Sequence, residues 1–241
     1  MNSNYNINIS GHCAPAAVPA NAAAEAERAG LALLRDEKGC LTLTDGKLTV
    51  CADLSENLRR LRPDNLSREL LVKTARIKHS SGELTAVDAT AGFGEDSLLL
   101  AAAGFHIRLY EYDSVICALL ADALHRAALV PELKEAASRM ELINADSISA
   151  MKAFTERPDV ILLDPMFPAR EKSALIKKKF QLLQRLEQPC ADEETMLNAA
   201  LAAHPRKIVI KRPLKGPFLA DRKPDYSIKG KAIRYDCIVL A

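Results

Sequence analysis

The chain has 241 residues, of which 49% are hydrophobic and 27% are charged. This composition is that of a folded globular protein, which excludes intrinsically disordered and collagen-like chains. The length predicts one large domain, or one domain with a small additional module. No run of about eighteen apolar residues occurs, and no basic segment followed by an apolar stretch starts the chain, so we expect neither a membrane span nor a secretory signal.

The net charge of +2 hides two regions of opposite sign. Residues 170–241 contain 16 lysines and arginines against 8 aspartates and glutamates, a net charge of +8, so the first 169 residues carry −6. A basic region beside an acidic one indicates an anionic partner, with nucleic acid as the first candidate. The solvated faces of ordinary helices would explain the same charges equally well.

Six cysteines and five histidines are dispersed along the chain. None of them forms a CxxC pair, an HExxH pair or a Cys/His cluster with zinc spacing, so we predict no metal site. Scattered free thiols are typical of the reducing cytoplasm, and these side chains are interpreted as small buried hydrophobic groups.

The first part of the chain predicts short elements. An alanine-rich segment ends as a short helix before Gly30, and short alternating apolar runs follow it. The Asp45-Gly46 pair between two such runs is typical of a β-hairpin. We therefore predict a small β-rich module over residues 1–60, followed by a basic helical connector over residues 61–82.

From residue 83 to residue 241 the pattern alternates between apolar strands and helices. We predict strands at 84–88, 106–111, 140–144, 159–163, 207–211 and 232–240, and helices at 95–103, 113–129, 173–186 and 193–203. Strands that alternate with helices of about ten residues or more are typical of an α/β fold. The expected architecture is a mostly parallel, doubly wound sheet with helices on both faces.

The first candidate site is the turn DATAGFGED at residues 88–96, which follows a predicted strand and begins a helix. Gly92 and Gly94 let the backbone turn sharply and approach a ligand closely. Thr90 occupies the first glycine position of a GxGxxG pattern, and Asp88 would repel a pyrophosphate but suits a ligand with an ammonium group. The turn therefore favours S-adenosylmethionine over NAD, with a plain strand-to-helix turn as the alternative.

Polar residues follow the next two predicted strands. Glu111 lies 17 residues after Gly94, near the spacing at which an acid accepts hydrogen bonds from ribose hydroxyls in dinucleotide-binding folds. Asp146 and Ser147 have the donors and acceptors to contact an adenine amine and ring edge. Either residue would equally well cap the helix that follows.

The most specific candidate is the segment Asp164-Pro165-Met166-Phe167, followed by a second proline, after the apolar strand. The Asp164 carboxylate and the Pro165 carbonyl can accept N–H bonds from an exocyclic amine of a nucleobase, whose lone pair is delocalised into its ring. Phe167 can stack on the same base. Catalysis would then depend on positioning and electrostatics rather than on a metal or a covalent intermediate. A stiff turn without any site is the alternative.

Several segments together resemble one family. They are VDATAGFGEDSLLLAAAGF at 87–105, LDPMFPAREKSALIKKK at 163–179 and IVIKRP at 208–213. The DPMF segment is similar to the [DN]PP[FYW] motif of amino-methyltransferases. The longer signatures resemble those of the RsmJ family of 16S ribosomal RNA (guanine-N2)-methyltransferases, over about residues 66–215. The resemblance implies a Rossmann-like class I fold that depends on S-adenosylmethionine (SAM).

The resemblance also implies site residues. The family's cofactor contacts fall on Glu95, Asp96, Glu111, Tyr112, Asp146, Ser147 and Asp164, and we add Asp88, Thr90, Gly92 and Gly94 from the turn. The candidate catalytic residues are Asp164, Pro165, Met166 and Phe167. The family usually has an arginine at the position of Tyr112, and it has a GGGRG stretch where this chain has residues 64–69, with Arg68 at the matching place.

The expected reaction is methyl transfer from SAM to the exocyclic N2 of a guanine in 16S ribosomal RNA. Arg68, Lys172, Lys177, Lys211 and Arg212 are the candidate RNA-binding residues, since such cations position a phosphate backbone without reading its sequence. We expect a cytoplasmic enzyme that acts on the free RNA or on the small ribosomal subunit.

Two alternatives stay open. The first is transfer to another planar amine, in a DNA base or a protein amide, and the second is a non-catalytic RNA-binding assembly factor. An NAD-dependent oxidoreductase is disfavoured by Thr90 and Asp88.

Overall fold

Two β-sheets and a set of helices form the protein. A computed structural model describes residues 6–7, 18–78, 82–165, 182–183, 185–186 and 192–240. The strands are β1 (Asn6–Ile7), β2 (Ala32–Arg35), β3 (Leu41–Thr44), β4 (Thr49–Val50), β5 (Leu84–Asp88), β6 (Phe105–Glu111), β7 (Met140–Asn144), β8 (Val160–Leu163), β9 (Lys207–Pro213), β10 (Tyr226–Lys229) and β11 (Ile233–Val239). The helices are α1 (Ala20–Arg28), α2 (Leu58–Leu61), α3 (Pro63–Leu66), α4 (Leu70–Ala75), α5 (Glu95–Ala102), α6 (Ser114–Ala128), α7 (Pro131–Ser138), α8 (Ser147–Lys152) and α9 (Glu193–Ala202).

The main sheet has the order β1-β7-β6-β5-β8-β9-β11-β10. Strands β7, β6, β5, β8 and β9 are parallel, whereas β11 pairs antiparallel with both β9 and β10, and β1 pairs antiparallel with β7. This confirms the predicted mostly parallel, doubly wound α/β sheet. The chain moves outward from β5 through β6 to β7 and then returns to β8 on the other side of β5. Open α/β sheets bind ligands at such a reversal, beside the carboxyl ends of the strands.

Local sequence explains why the central elements form. All four residues of β8 are buried, as expected for a strand that is covered on both faces. Helix α6 begins after Asp113, whose carboxylate accepts hydrogen bonds from the amides of Val115 at 2.8 Å and Ile116 at 2.9 Å. Helix α7 begins with Pro131 at its first position, where the missing N–H of proline costs nothing.

The second sheet is antiparallel, with the order β2-β3-β4. The predicted hairpin is confirmed, because Asp45 and Gly46 lie between β3 and β4. Both β3 and α1 contact α6, and the buried apolar residues of this region are continuous with those around α5 and α6. Buried Asp122 on α6 joins the two parts, since it accepts hydrogen bonds from Arg35 at 2.7 Å and from the amide of Leu41 at 3.1 Å.

The segment between the two sheets consists of a 3₁₀ turn at Leu54–Asn57 and the short helices α2, α3 and α4. This agrees with the predicted basic helical stretch. The predicted division at residues 60 and 82 stays a prediction, although β1 joins the main sheet rather than the small one. The predicted helix at 173–186 lies almost entirely outside the described residues, and β10 was not predicted.

Within the described ranges, no helix is both long enough and apolar enough to cross a bilayer. Over the same residues, no group of three or more His, Cys, Asp or Glu side chains could hold a metal ion.

Candidate cofactor and substrate site

The turn between β5 and α5 is held against β6 by hydrogen bonds. The amide of Ala91 donates to the carbonyl of Tyr110 at 3.1 Å, and the amide of Gly92 donates to Glu111 Oε2 at 2.9 Å. Glu111 Oε1 accepts a second bond, from the amide of Asp113 at 2.9 Å. The predicted pairing of the glycine turn with Glu111 is therefore a contact between neighbouring strand ends, with the carboxylate fixed by two backbone donors.

The two glycines of this turn have different surroundings. Both have positive φ, +53° for Gly92 and +72° for Gly94, which favours glycine because a Cβ would be strained there. A Cβ on Gly94 would lie 2.7 Å from Cδ1 of Leu120, which is fully buried. A Cβ on Gly92 would meet no atom within 4 Å. Gly94 is therefore required for packing, whereas Gly92 leaves open space over the turn.

Asp88, at the end of β5, lies beneath the turn. The residue is 2% exposed, and its carboxylate accepts hydrogen bonds from the Ser97 hydroxyl at 2.6 Å and from the amide of Thr90 at 3.0 Å. Burial raises the pKa of Asp88 to about 6, against the lowering effect of these two donors. The structure thus gives Asp88 a supporting position, and its predicted contact with the cofactor stays a prediction.

Asp164 follows β8 at the point where the strand order reverses. Its amide donates to the Thr90 hydroxyl at 2.7 Å, which joins the end of β8 to the turn after β5. Its carboxylate lies 2.9 Å from Nζ of Lys211, and the same amine donates to Asp96 at 2.7 Å. One lysine on β9 therefore bridges two carboxylates, one on the first turn of α5 and one after β8.

The charges of this bridge influence one another. Burial alone would lower the pKa of Lys211, but Asp96 and Asp164 outweigh it and raise the pKa, so the amine stays protonated. Burial raises the pKa of Asp164, and the ammonium of Lys211 opposes that rise. The Asp164 side chain is still 39% exposed, so it faces both the lysine and the solvent-accessible mouth of the site.

Polar groups also follow β7. The side-chain amide of Asn144 donates to the carbonyls of Glu111 at 2.7 Å and Tyr112 at 3.2 Å, which fixes the end of β6. Asp146 caps α8 through the amides of Ile148 and Ser149, so the capping role is what the structure shows. Its predicted contact with adenine, like that of the buried Ser147, stays a prediction.

The other predicted cofactor residues lie at the same edge of the sheet. Glu95 is exposed at the first position of α5, and the Tyr112 side chain is exposed directly after Glu111. Pro165 is the last described residue of its segment and is buried. Met166, Phe167, Lys172 and Lys177 lie outside the described residues.

Two of the residues predicted to bind RNA have other contacts in the structure, and their contact with RNA stays a prediction. The amine of Lys211 is held between Asp96 and Asp164. The Arg212 side chain is fully buried, and its guanidinium donates to the Pro217 carbonyl at 2.9 Å and to Glu193 at 3.2 Å. Arg212 therefore supports the loop after β9 from inside. A lysine and an arginine that follow each other on a strand point to opposite faces, so charge alone did not indicate where either would lie.

Two functional side chains were missed from the sequence. Ser97 supports Asp88, and Asn144 fixes the end of β6. A serine at the start of the otherwise apolar helical run SLLLAA was a signal for a buried polar contact, since such hydroxyls need a partner. Nothing in the sequence indicated the partner of Asn144, because its acceptors are backbone carbonyls of another strand.

Comparisons with known proteins agree with this geometry. Residues 23–240 match the family described as "Putative SAM-dependent methyltransferase". Ribosomal RNA small subunit methyltransferase J of Aeromonas hydrophila is 44% identical over 156 residues, which are 64% of this chain and 63% of that protein. The protein of the same name in Thioalkalivibrio sulfidiphilus is 42% identical over 177 residues, 73% of this chain and 69% of that protein.

A solved structure is also similar. The crystal structure of a SAM-dependent methyltransferase from Neisseria gonorrhoeae has a TM-score of 0.67 and 30% sequence identity, over 83% of this chain and 79% of that one. The fold and the site therefore define the class of SAM-dependent methyltransferases. The chain belongs to that family, and within it to the group named ribosomal RNA small subunit methyltransferase J. It spans 58 to 69% of the length of the curated relatives that it matches.

The residues present fit SAM. Its sulfonium and ammonium groups are cationic, and three carboxylates, on Asp88, Asp96 and Asp164, lie close enough to influence one another's charge. Its ribose requires a hydrogen-bond acceptor, which Glu111 supplies beside the turn. The open space over Gly92 permits close approach of a ligand to the backbone.

Proposed function

We propose that this protein transfers a methyl group from SAM to the exocyclic N2 of a guanine in 16S ribosomal RNA. The observation that carries the proposal is the position of Asp164. Its backbone is tied to the glycine turn through Thr90, and its carboxylate faces the mouth of the site at the reversal of strand order. An acceptor placed there can accept hydrogen bonds from a substrate amine that lies beside a cofactor bound over the turn.

The cofactor would be held by residues on three strand ends. Gly92 provides close backbone approach, Glu111 accepts from the ribose hydroxyls, and Asp146 and Ser147 lie where an adenine edge would be contacted. Asp88 and Asp96 provide negative potential for a cationic ligand. When bound, SAM supplies an electrophilic methyl group on its sulfonium.

The protein's own groups act on the amine. The Asp164 carboxylate and the Pro165 carbonyl accept its N–H bonds, which orients the nitrogen and increases its electron density. Because Asp164 must be ionised to accept in this way, a nearby cation is required to offset its burial. Lys211 supplies that cation at 2.9 Å and links the carboxylate to Asp96 on α5. Phe167 would stack on the base.

Three observations support 16S ribosomal RNA as the substrate. The DPMF segment is similar to a motif of enzymes that methylate planar amines, the relatives carry the name ribosomal RNA small subunit methyltransferase J, and residues 170–241 have a net charge of +8. An enzyme that modifies this RNA would work in the cytoplasm. The substrate would be the free RNA or the small subunit, and the chemistry proposed for this chain's residues uses no metal.

Mass spectrometry of 16S ribosomal RNA from cells with and without this gene tests the proposal. The expected result is the loss of one N2-methylguanosine, and its return when the purified protein and labelled SAM are added. Labelling of DNA or protein instead of RNA would favour another planar amine. Binding of RNA without binding of SAM in calorimetric titration would favour a non-catalytic assembly factor.

A further inference from the structure

A cleft of about 350 Å³ lies between α2, α3 and the start of α4. It is lined by Arg59, Arg60, Asn65, Arg68, Glu69 and Leu70. The proposed site does not use this cleft.

Its walls are fixed by internal bonds. The Arg60 guanidinium makes a bidentate contact with Glu69, at 2.9 and 3.0 Å, and also donates to Asn57 at 3.1 Å. Asn65 donates to the carbonyl of Arg59 at 2.7 Å, which ties α3 to α2. Arg60 therefore belongs to the framework of the cleft, because its charge is already matched by a carboxylate.

Three other arginines of this segment carry charge that is not matched. Arg59, Arg62 and Arg68 are all exposed, and we call them the arginine rim. Within the part of the chain that the structure describes, none of their guanidinium groups makes a hydrogen bond or an ion pair. Arginines that point to solvent without carboxylate partners are suited to bidentate contacts with phosphate.

The packing of α4 places the rim at the end of the sheet where the site lies. Nζ of Lys207, at the start of β9, donates to the carbonyls of Thr74 and Arg76 at the end of α4, both at 2.8 Å. The end of α4 therefore lies beside the beginning of β9. The start of α4 lies towards the other end of that strand, because a Cβ on Gly230 would be 2.7 Å from Cδ1 of Leu70, and Gly230 is in the turn before Ile233, which pairs with Pro213 at the end of β9. It follows that Arg68, before the start of α4, lies towards the end of β9 that carries Lys211.

Electrostatics agree with this placement. The hydrogen bonds that Arg60 donates to Glu69 are the main cause of the raised pKa of Arg60, and the charges of Asp96 and Glu95 add to it. The segment is thus close enough to the first turn of α5 to be influenced by the site's carboxylates. Helix α2 also contacts α5 directly.

The site itself would repel a polyanion. Asp88, Asp96, Glu111 and Asp164 all lie at this edge of the sheet, and the single amine of Lys211 is shared by two of them. An RNA strand that brings a base to Asp164 needs cations beside the site to offset this repulsion. The arginine rim is a cluster of unmatched cations at that place.

We propose that Arg59, Arg62 and Arg68 bind the phosphate backbone of the RNA strand that carries the target guanine. The proposal rests on the proposed function, since it assumes that RNA is the substrate. The rim positions the strand without reading its sequence, because arginine contacts with phosphate carry no base information.

The test compares two triple variants that each lose three positive charges. The rim variant is Arg59→Gln, Arg62→Gln and Arg68→Gln. The control variant is Arg28→Gln, Lys38→Gln and Lys47→Gln, all at exposed positions of the N-terminal part and outside the cleft. Each protein is titrated with a 16S ribosomal RNA transcript at several salt concentrations and, separately, with SAM.

The rim variant is expected to bind the transcript about 10-fold or more weakly at low salt. The slope of log affinity against log salt concentration should become shallower by about 2 units. Each of the three phosphate contacts on a single strand contributes about 0.7 to that slope. Its affinity for SAM should match that of the wild type, and the control variant should keep most of the wild-type affinity and slope. Equal RNA affinity and salt slope in the two variants would overturn the proposal.

Direct binding keeps this test separate from the proposed function. If the wild type binds the transcript through the rim but transfers no methyl group to it, the catalytic proposal fails and the rim proposal stands. If methyl transfer occurs and the rim variant has an unchanged KM for RNA, the rim proposal fails alone.

Discussion

The proposed site has a cofactor half, around Asp88 and Glu111, and a substrate half, around Asp164 and Lys211, and the two are built in different ways. In the cofactor half, the carboxylates of Asp88 and Glu111 accept bonds from backbone amides of the turns beside them. In the substrate half, Asp164 and Asp96 are joined through Lys211 by side-chain contacts, and Asp96 and Lys211 are 115 residues apart in the chain. Backbone donors fix a carboxylate whatever its charged neighbours are, whereas a lysine bridge depends on the charge of each member.

This difference indicates which kinds of change should affect each half of the site. The cofactor half should respond mainly to changes in backbone conformation and packing, because its geometry comes from a turn. The substrate half should respond to changes in charge and pH, because its geometry comes from ion pairs.

The largest effect is expected from Asp164→Ala. Removing the proposed acceptor should lower kcat about 100- to 1,000-fold, as the loss of a single positioned hydrogen-bonding group does in other active sites. Thermal unfolding should change little, because the Thr90 bond uses the backbone amide of Asp164. SAM titration then separates a loss of cofactor binding from the loss of turnover. Glu132→Gln, at an exposed carboxylate on α7, is the control and should keep full activity. Full turnover by Asp164→Ala would contradict the mechanism.

The next prediction compares two glycines of one turn. Gly94→Ala should lower the free energy of unfolding by about 2–4 kcal/mol, since it adds a clash with buried Leu120 to the strain of a positive φ. Gly92→Ala should lower the free energy of unfolding by only about 1 kcal/mol, because it adds only the strain of a positive φ. Urea denaturation measures both.

The affinity for SAM should also distinguish Gly92→Ala from Gly94→Ala. The new Cβ of Gly92→Ala would enter the open space over the turn, so this variant should lose more affinity for SAM than its stability suggests. Calorimetric titration of the folded variants measures this. Equal losses of stability and of affinity in the two variants would show that the open space over Gly92 has no role in binding.

The raised pKa of Asp88 predicts that the free energy of unfolding depends on pH. Its pKa is about 6 in the folded protein, against about 3.9 for an unperturbed aspartate, so the folded state holds the proton more tightly. This contribution to stability is therefore present at low pH and is lost as the pH rises from about 4 to about 6. Asp88→Asn cannot titrate, so its stability relative to wild type should increase by about 2 kcal/mol between pH 4 and pH 7. A constant difference between the two proteins across this range would contradict the raised pKa.

A smaller effect on turnover than that of Asp164→Ala is expected at Lys211. Lys211→Met should lower kcat roughly 10-fold, the equivalent of about 1.5 kcal/mol for one charge-assisted hydrogen bond. Because the ammonium opposes the burial of Asp164, its loss should raise the pKa of that carboxyl. The acidic limb of the pH–rate profile should then move to higher pH.

Lys211→Arg is the matched control. Because it keeps the positive charge, the acidic limb of its pH–rate profile should stay close to that of the wild type. An unchanged profile in Lys211→Met would limit Lys211 to a structural role. The nearby groups that also influence Asp164 are Asp96 and Arg212, and both remain in these variants.

Much of the fold and the cofactor half could be predicted from the sequence. The glycine turn and Glu111 were predicted from spacing, and the structure joins them by a hydrogen bond between Gly92 and Glu111. This was possible because a strand, a turn and the next strand are close in the chain, so local pattern determines their contact. The Asp45-Gly46 hairpin was predictable for the same reason.

The substrate half was predicted only in part. The signature around Asp164 indicated the proposed acceptor. The roles of Lys211 and Arg212 were predicted from charge alone, whereas the structure pairs both with carboxylates. The short strand β1 on the main sheet also depended on a partner far along the chain, since Asn6 pairs with Ile143 of β7. Sequence periodicity carries no information on which distant strand lies beside a given one.

By itself, the sequence determined the alternation of strands and helices, the turn that requires Gly92 and Gly94, and the excess of positive charge after residue 170. Which cations of the whole chain face outward was set by the tertiary structure. It buried Arg212 against Glu193 and placed Lys211 between two carboxylates, while Arg59, Arg62 and Arg68 stayed exposed beside the site. The physical reason is that the role of a cation depends on the carboxylates and the solvent around it, and folding brings those together from distant parts of the chain.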